Sequence, residues 1–174
     1  MSGKISCWTL DTTDLGLMGI AVSRIGLCAL RMFQGSAENF LLNMENIGLQ
    51  GPVLDPEQTA PYLAQIKRYL EGKLQTFSLP IDLSGKTDFQ RRVLQATERI
   101  PYGETRSYGE IARAAGSPRA ARAVGQAERS NPVPLVIPCH RVIGSDGSLT
   151  GYGGSRSTDT KAWLLEFERK NAGN

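Results

Sequence analysis

The segment NPVPLVIPCHRVIG, residues 131–144, places a cysteine directly before the only histidine of the 174-residue chain. A thiolate is a strong nucleophile, and a neighbouring imidazole is a standard means of raising the thiolate fraction. Pro132, Pro134 and Pro138 each remove a backbone donor and fix φ, so the segment predicts a rigid, buried loop that presents Cys139. A buried structural cysteine beside a hydrogen-bonded histidine is the alternative.

Composition indicates a soluble globular protein of one or two domains. The chain is 40% hydrophobic and 21% charged, which is enough apolar material for a good core. No apolar run approaches the length of a membrane span, and the first residues, MSGK, lack the apolar block of a signal peptide. Three cysteines, an odd number, argue against a disulfide framework. We therefore expect a cytoplasmic protein with no membrane partner.

The positive charge of the chain is concentrated in one segment. Residues 91–141 contain nine arginines, no lysine and four acidic residues, so they carry +5, whereas residues 1–90 carry −2. The planar guanidinium suits bidentate contacts to phosphate and also stacks on bases. The distribution therefore favours a nucleic-acid partner, with a solvated basic face as the alternative.

The chain is predicted to change character near residues 79–86, where proline and glycine separate two dissimilar halves, giving domains 1–85 and 86–174. In the first half, turn residues Asp14 and Gly26 separate strand-length apolar segments, as in an antiparallel meander. The predicted elements are strands over residues 5–10, 17–23 and 27–33 and an amphipathic helix over residues 56–74.

The second half is predicted to be helical, and its centre has the pattern of a helix-turn-helix. Ser107 and Glu110 fit a capping box that opens a short helix ending near residue 115. Gly116 breaks that helix, Ser117 is the next expected N-cap, and Pro118 occupies the first position of a second helix.

The second helix is predicted to have one packing face and one basic face. Its apolar stripe is formed by Ala120, Val124 and Ala127. The opposite face carries polar residues suited to phosphates: Arg119, Arg122, Gln126 and Arg129. Small residues flank the arginines and would allow the backbone to approach a groove closely: Ala121, Ala123 and Gly125.

Segments 119–125 (RAARAVG) and 131–142 (NPVPLVIPCHRV) together resemble the O6-alkylguanine-DNA alkyltransferases, also called methylated-DNA–protein-cysteine methyltransferases. The resemblance covers roughly residues 87–168. It implies an α/β (α+β) protein, with an N-terminal ribonuclease-H-like domain of a small antiparallel sheet and helix, and a mainly helical C-terminal domain with a helix-turn-helix. It also implies DNA repair by direct reversal, in which the helix-turn-helix enters the minor groove and the damaged guanine is rotated out of the stack.

The resemblance makes Cys139 the nucleophile that attacks the alkyl carbon on guanine O6 in one displacement, and His140 its general base. Because consecutive side chains do not readily face each other, we expect a water-mediated relay between them. The resemblance completes the relay with Glu168, which lies at i+4 from Leu164 and i+3 from Leu165 on the core-facing stripe of a C-terminal helix. An unpaired carboxylate there would be costly, and a histidine partner would remove that cost.

Three further residues have roles implied by the resemblance. Tyr108 would donate a hydrogen bond to N3 of the flipped base, Arg122 would fill the space that the base leaves, and Asn131 would hold the turn beside the cysteine loop. The alternatives are a helix-start tyrosine, a plain phosphate contact and an Asn-Pro turn residue. The other implied residues are DNA contacts at Ser107, Arg119, Ala121, Ala123, Gly125, Gln126 and Arg129, and an alkylguanine pocket formed with Val142, Tyr152, Gly153 and Gly154.

Two departures from the family pattern carry expectations of their own. Gly153 follows the pocket tyrosine where some relatives have serine, so the Gly153 backbone would have to bond O6, and we expect tolerance of alkyl groups larger than methyl. Some relatives hold zinc in the N-terminal domain, whereas here Cys7 and Cys28 are the only candidates. We expect both to be core residues and no metal to be bound.

The resemblance implies a stoichiometric reagent without a cofactor, because a thioether on Cys139 is stable and the methyl donor is DNA itself. The implied partner is double-stranded DNA containing O6-alkylguanine, bound by a monomer, with cooperative assembly on DNA and action on O4-alkylthymine left open. Two other classes compete with this interpretation: a DNA-binding damage sensor that does not repair, and a cysteine hydrolase that uses Cys139, His140 and Glu168 as a triad.

Overall fold

The structure is a computed structural model that describes residues 5–13, 16–33, 38, 40, 53–152 and 158–173. The chain divides into two compact units, residues 1–85 and 86–174. The first is built around a sheet and the second is mainly helical, so the predicted mixed α/β class is confirmed. Within the described ranges, no helix is long and apolar enough to cross a membrane.

The sheet of the first unit contains the predicted meander. Strand β1 (Ile5–Thr13) pairs antiparallel with β2 (Gly16–Ser23), and β2 pairs antiparallel with β3 (Leu27–Phe33). A short strand β4 (Val53–Leu54) adds to β1 in parallel and gives the order β3-β2-β1-β4. The strands were predicted correctly, with β1 three residues longer than expected. The predicted turn at Asp14 lies outside the described residues.

Helix α1 (Pro56–Leu70) begins where the sequence predicts and ends four residues earlier. Its N-cap is Asp55, whose side chain accepts a hydrogen bond from the Gln58 amide at 2.9 Å. The helix stops because Gly72 adopts φ +72°, the left-handed conformation that commonly terminates helices.

Cys7 and Cys28 lie in the core of the first unit. Both are buried, and the Cys28 thiol donates to the carbonyl of Ala21 at 3.2 Å. Burial raises the pKa of the Cys28 thiol to about 12, so it is neutral and behaves as a small apolar side chain. The prediction that both are core residues is confirmed.

The second unit packs its helices around one apolar cluster. Its elements are α2 (Asp88–Glu98), β5 (Arg106–Ser107), α3 (Tyr108–Ala114), α4 (Ala121–Arg129), β6 (Val142–Ile143) and α5 (Asp159–Asn171). Val93, Ile111, Val124, Ala127 and Val142 are almost fully buried in the cluster. The predicted packing stripe of α4 is thus confirmed at Val124 and Ala127, whereas Ala120 is half-buried.

The start of α3 is confirmed and the start of α4 is not. The Ser107 hydroxyl accepts from the Glu110 amide at 3.2 Å, and the Glu110 carboxylate accepts from the Ser107 amide at 2.7 Å. Helix α4 was predicted to begin at Pro118 but begins three residues later. The reason is a tight turn in which the Ala120 amide donates to the Ser117 carbonyl at 2.9 Å. Proline is favoured inside such a turn as well as at a helix start.

Candidate functional site

Residues 131–138 form the buried, irregular loop that the sequence predicts. The side-chain nitrogen of Asn131 donates to the Ile137 carbonyl at 2.8 Å, while its side-chain oxygen accepts from the backbone amide of Val133 at 3.0 Å. Leu135 adopts φ +75°, a strained conformation for leucine that persists only when surrounding contacts enforce it. Asn131 therefore joins the two ends of the loop that leads to the cysteine.

Replacing Asn131 by alanine is expected to lower the free energy of unfolding by about 2–4 kcal/mol, because two buried backbone groups lose their partners. Urea unfolding measures the loss. Asn171→Ala is the matched control, since the Asn171 amide donates to one half-buried carbonyl at a helix end and should cost less than about 1 kcal/mol. Equal losses of unfolding free energy in the two variants would contradict the conclusion that Asn131 joins the two ends of the loop.

The thiol of Cys139 lies at the start of a 3₁₀ turn, Cys139–Arg141, and is 7% exposed in the wall of a cavity of about 600 Å³. Burial raises the pKa of the thiol to about 12, and the negative charge of Glu128 acts in the same direction. A hydrogen bond from Asn131 and the charge of Lys161 oppose them. The thiol is therefore neutral at rest, contrary to the expectation that the adjacent imidazole raises the thiolate fraction.

The imidazole of His140 is fully buried and its Nε2 lies 2.8 Å from Glu168 Oε1. The same carboxylate accepts from Arg141 Nε at 2.9 Å and from the Gly103 amide at 3.0 Å. Burial alone would raise the pKa of Glu168, but hydrogen bonds from His140 and Arg141 hold it far below its usual range. The histidine partner predicted for Glu168 is therefore confirmed, together with a second partner, Arg141, that was not predicted.

Burial lowers the pKa of His140 despite the opposing effect of Glu168, so the ring is neutral near pH 7. The ionised Glu168 can only accept, so we assign the ring proton to Nε2. Nδ1, which is also buried, is then the basic nitrogen. This arrangement gives a neutral base backed by a carboxylate that stabilises the charged ring once it takes up a proton.

The cavity is formed by the start of α3, one face of α4, the cysteine loop, the loop 144–152 and the start of α5. Tyr108 lines it, and its hydroxyl lies 2.6 Å from Thr150 Oγ1. Burial raises the pKa of Tyr108, so its hydroxyl remains protonated and can donate a hydrogen bond. Tyr152 is 6% exposed and packs edge-on against His140, with ring centroids 6.0 Å apart.

Two buried charged residues also line the cavity. Glu128 on α4 is 7% exposed and accepts a hydrogen bond from the Thr97 hydroxyl. Lys161 on α5 is 1% exposed, and its ammonium group donates to the Val142 carbonyl at 2.6 Å and lies 5.8 Å from the centroid of the Tyr108 ring. The wall around the cysteine therefore contains a buried carboxyl group and a buried ammonium group that the sequence did not assign to the site.

Comparison with known proteins places this chain in a family. A family model described as "6-O-methylguanine DNA methyltransferase, DNA binding domain" matches residues 88–170. A Mycolicibacterium paratuberculosis protein named methylated-DNA–protein-cysteine methyltransferase is 52% identical over 118 residues, which are 68% of this chain and 70% of the relative. The chain belongs to the methylated-DNA–protein-cysteine methyltransferase family.

Other members of the methyltransferase family agree in sequence and in fold. The constitutive Bacillus subtilis methylated-DNA–protein-cysteine methyltransferase is 57% identical over 105 residues, which are 60% of this chain and 62% of that relative. The chain thus aligns with somewhat less than two thirds of the B. subtilis protein. The crystal structure of Mycobacterium tuberculosis OGT in complex with DNA matches with a TM-score of 0.80 at 40% identity, covering 94% of this chain and 93% of that chain.

The cavity of this methyltransferase-family chain brings together many of the residues predicted for the site. Predicted residues that line it are Tyr108, Ala121, Arg122, Gly125, Gln126, Arg129, Cys139 and Tyr152. Arg122, Gln126 and Arg129 are exposed on α4, as predicted for a face that meets a partner.

Other predicted residues of this family member lie away from the cavity wall, as far as the described residues show. Arg119 is in the turn before α4, the Ser107 hydroxyl caps α3, and Ala123 is exposed on α4. Val142, predicted to belong to the alkylguanine pocket, is fully buried, and its carbonyl accepts from Lys161. Gly153 and Gly154 lie outside the described residues.

Sequence reasoning missed the cavity-lining residues of the loop 144–151. It also missed three buried charged residues, Arg141, Glu128 and Lys161. A signal for two of them was present, because Glu128 lies at i+4 from Val124 and Lys161 lies at i−3 from Leu164, both on buried helix faces. Of the charged residues that lie on buried helix faces, the sequence analysis recognised only Glu168. Arg141 gave no such signal, and it was counted in the basic segment 91–141 that favours a nucleic-acid partner, although it is 5% exposed.

Proposed function

We propose that this chain repairs DNA by direct reversal, moving the alkyl group from O6 of a guanine in duplex DNA onto Cys139 in a single turnover. The supporting observation is the position of Cys139 in the wall of an open cavity of about 600 Å³, beside Tyr108 and followed in the chain by the His140–Glu168 pair. That volume lies within the range of small-molecule pockets. Membership of the methyltransferase family supports the same chemistry.

The proposed displacement forms one bond and breaks one. The sulfur of Cys139 attacks the alkyl carbon, the S–C bond forms, and the O6–C bond breaks with its electron pair passing to the guanine. The thiol proton is removed through a water-mediated relay to Nδ1 of His140, which Glu168 then stabilises as imidazolium. A neutral thiol and a neutral imidazole are a suitable starting pair, because burial disfavours both charged forms.

Tyr108 is proposed to stabilise the departing guanine. Its protonated hydroxyl would exchange Thr150 for N3 of the base and donate a hydrogen bond as negative charge develops. Lys161, whose ammonium lies over the Tyr108 ring, favours this by stabilising negative charge nearby. The guanine anion takes up a proton from solvent and the His140 imidazolium releases one to solvent, so the products are an S-alkylcysteine and an intact, neutral guanine.

Helices α3 and α4 are proposed to act as a helix-turn-helix that docks in the minor groove, with base extrusion into the cavity. The match to a relative crystallised in complex with DNA supports DNA as the partner. Arg122, at the cavity mouth, would fill the space left by the base. The other proposed contacts are Ser107, Arg119, Ala121, Ala123, Gly125, Gln126 and Arg129, of which the small residues permit close approach of the backbone.

The remaining features of the proposal rest on the resemblance. The first unit is proposed to be a ribonuclease-H-like supporting domain, and the protein to act in the cytoplasm. Residues 86–174 would carry DNA binding and transfer, with Val142, Tyr152, Gly153 and Gly154 in the alkylguanine pocket. Acceptance of alkyl groups larger than methyl follows from glycine at position 153.

The transfer is tested by intact mass and peptide mapping after the protein is mixed with a duplex carrying one O6-methylguanine. We expect one methyl group per molecule, located on Cys139, and no gain with the unmodified duplex. Adding excess damaged duplex should not increase the yield beyond one, because a thioether is not hydrolysed. Release of modified product with multiple turnovers would instead indicate a hydrolase.

A damage sensor that binds without transfer is the second candidate, and one observation favours it. The pKa of the Cys139 thiol is raised to about 12, which leaves almost no thiolate at neutral pH. Binding of the damaged duplex in the absence of any mass gain would support the sensor and overturn the transferase.

A further inference from the structure

Glu128 is a buried carboxyl group for which the proposed reaction has no use. It lies on α4, where one of its oxygens accepts from the Thr97 hydroxyl on α2. The other oxygen, Oε2, is buried and has no hydrogen-bond partner among the described residues. A buried carboxylate left half-satisfied is costly, so this position would favour an apolar residue unless the carboxyl group acts on something nearby.

The titratable and charged groups that line the cavity with Glu128 come from every element around it. The cysteine loop contributes the Cys139 thiol, α3 contributes the Tyr108 hydroxyl, and α5 contributes the Lys161 ammonium group. The loop 144–152 contributes the Asp146 carboxylate and the Tyr152 hydroxyl, and α4 itself contributes the guanidinium groups of Arg122 and Arg129. From α2 the facing group is the Thr97 hydroxyl, which does not titrate near neutral pH. Glu128 and Lys161 thus place opposite charges in the wall that also contains the reactive thiol.

The two charges act on the thiol in opposite directions. A negative charge on Glu128 opposes formation of the thiolate of Cys139, and the positive charge of Lys161 favours it. Burial raises the pKa of Glu128 to about 7, although Thr97 and Lys161 lower it. Glu128 therefore changes charge near neutral pH.

We infer that Glu128 is a positioning residue for the alkyl transfer, which sets how readily Cys139 gives up its proton by offsetting Lys161 when Glu128 is ionised. The effect of Glu128 on the Cys139 thiol does not depend on the proposed function, whereas its effect on the rate of alkyl transfer rests on that function. Below neutral pH Glu128 is neutral and Lys161 acts on the thiol unopposed. Above neutral pH the negative charge of Glu128 offsets part of the effect of Lys161. The reactivity of the Cys139 thiol therefore rises less with pH than it would without the Glu128 charge.

The test uses two readouts on the full chain across a series from about pH 6 to about pH 9. The first is alkylation of Cys139 by iodoacetamide without DNA, followed by peptide mass, which reports thiolate formation whether or not the protein repairs DNA. The second is the single-turnover transfer rate from saturating duplex with one O6-methylguanine. Transfer failing in the wild type while the alkylation profiles differ would overturn the proposed function and leave this inference standing.

Glu128→Gln keeps the acceptor for Thr97 and removes the ionisation. We expect its alkylation rate to exceed the wild-type rate by roughly threefold to tenfold at about pH 8 and to match it near pH 6. Lys161→Met should have the opposite effect and slow alkylation. Glu128→Met, which removes the polar group altogether, should behave as Glu128→Gln does, and unfolding curves confirm that each variant is folded.

Glu98→Gln is the matched control, because burial also raises the pKa of Glu98 but its side chain does not line the cavity. It should leave both pH profiles unchanged. A purely structural role for Glu128 would alter stability without changing the shape of the pH profile. Superimposable alkylation profiles for the wild type, Glu128→Gln and Glu128→Met would overturn the inference.

Discussion

Cys139→Ala is expected to abolish methyl transfer, lowering it by at least about 10³-fold, while binding to a duplex with O6-methylguanine persists. The reason is that no second thiol is available, since Cys7 and Cys28 lie in the other unit and are buried in its core. Loss of a thiol from a site with an adjacent cavity should cost little stability. Intact mass measures the transfer, and a fluorescence binding assay measures the affinity.

Cys28→Ala is the control for thiol removal. Cys28 is as buried as Cys139, 8% against 7% exposed, but its substitution should leave the mass gain at one methyl per molecule. A mass gain that survives in Cys139→Ala, or a methyl group mapped to another cysteine, would disprove the nucleophile. Loss of damaged-DNA binding together with transfer would show that the substitution disturbed the loop and not only the chemistry.

The sequence was sufficient for elements whose pattern is local. The three strands of the meander show clear apolar segments, and the Ser107–Glu110 capping box defines one helix start by itself. Pro118 was misleading, because proline serves equally as the first residue of a helix and as a turn residue. Which role it has depends on whether the Ala120 amide closes a turn onto the Ser117 carbonyl, a choice that the proline itself does not make.

The centre of the site was predictable because it contains a residue type that occurs only once in the chain. His140 is the only histidine, and Cys139 precedes it, so the centre of the site was evident. The state of the thiol was not evident, because its pKa depends on burial and on Glu128 and Lys161, which come from two different helices. Arg141 likewise contributes to net charge in the sequence but pairs with a buried carboxylate in the fold.

Glu168→Gln is expected to lower the free energy of unfolding by about 3–5 kcal/mol. Glu168 is fully buried and accepts from His140, from Arg141 and from the Gly103 amide. Glutamine keeps the shape but removes the charge, so the guanidinium of Arg141 remains buried without a counter-ion. Chemical denaturation at neutral pH measures the loss.

Glu166→Gln on the same helix is the matched control for this substitution. Glu166 is half-buried and pairs with Arg169 and with Lys170, both of which are solvent-exposed. Surface pairs of this kind contribute between zero and about 1 kcal/mol, so the control should unfold close to the wild type. Comparable losses in the two variants would show that the buried carboxylate has no special stabilising role.

The pH dependence gives a second, independent check on Glu168. Its pKa in the folded protein lies below its unfolded value, so its contribution is complete above the unfolded pKa and is lost as pH falls through the folded pKa. The stability gap between the wild type and Glu168→Gln should therefore be constant near neutral pH and narrow below about pH 4.5, where the unfolded carboxyl group protonates. Burial lowers the pKa of His140, so acid also destabilises the protein through that ring, and more so in Glu168→Gln, where the opposing effect of the carboxylate is lost. This second effect widens the gap as the pH falls through the pKa of the folded histidine, before protonation of Glu168 narrows it. A gap that stayed constant into acid would mean that the loss comes from altered packing and not from the carboxylate charge.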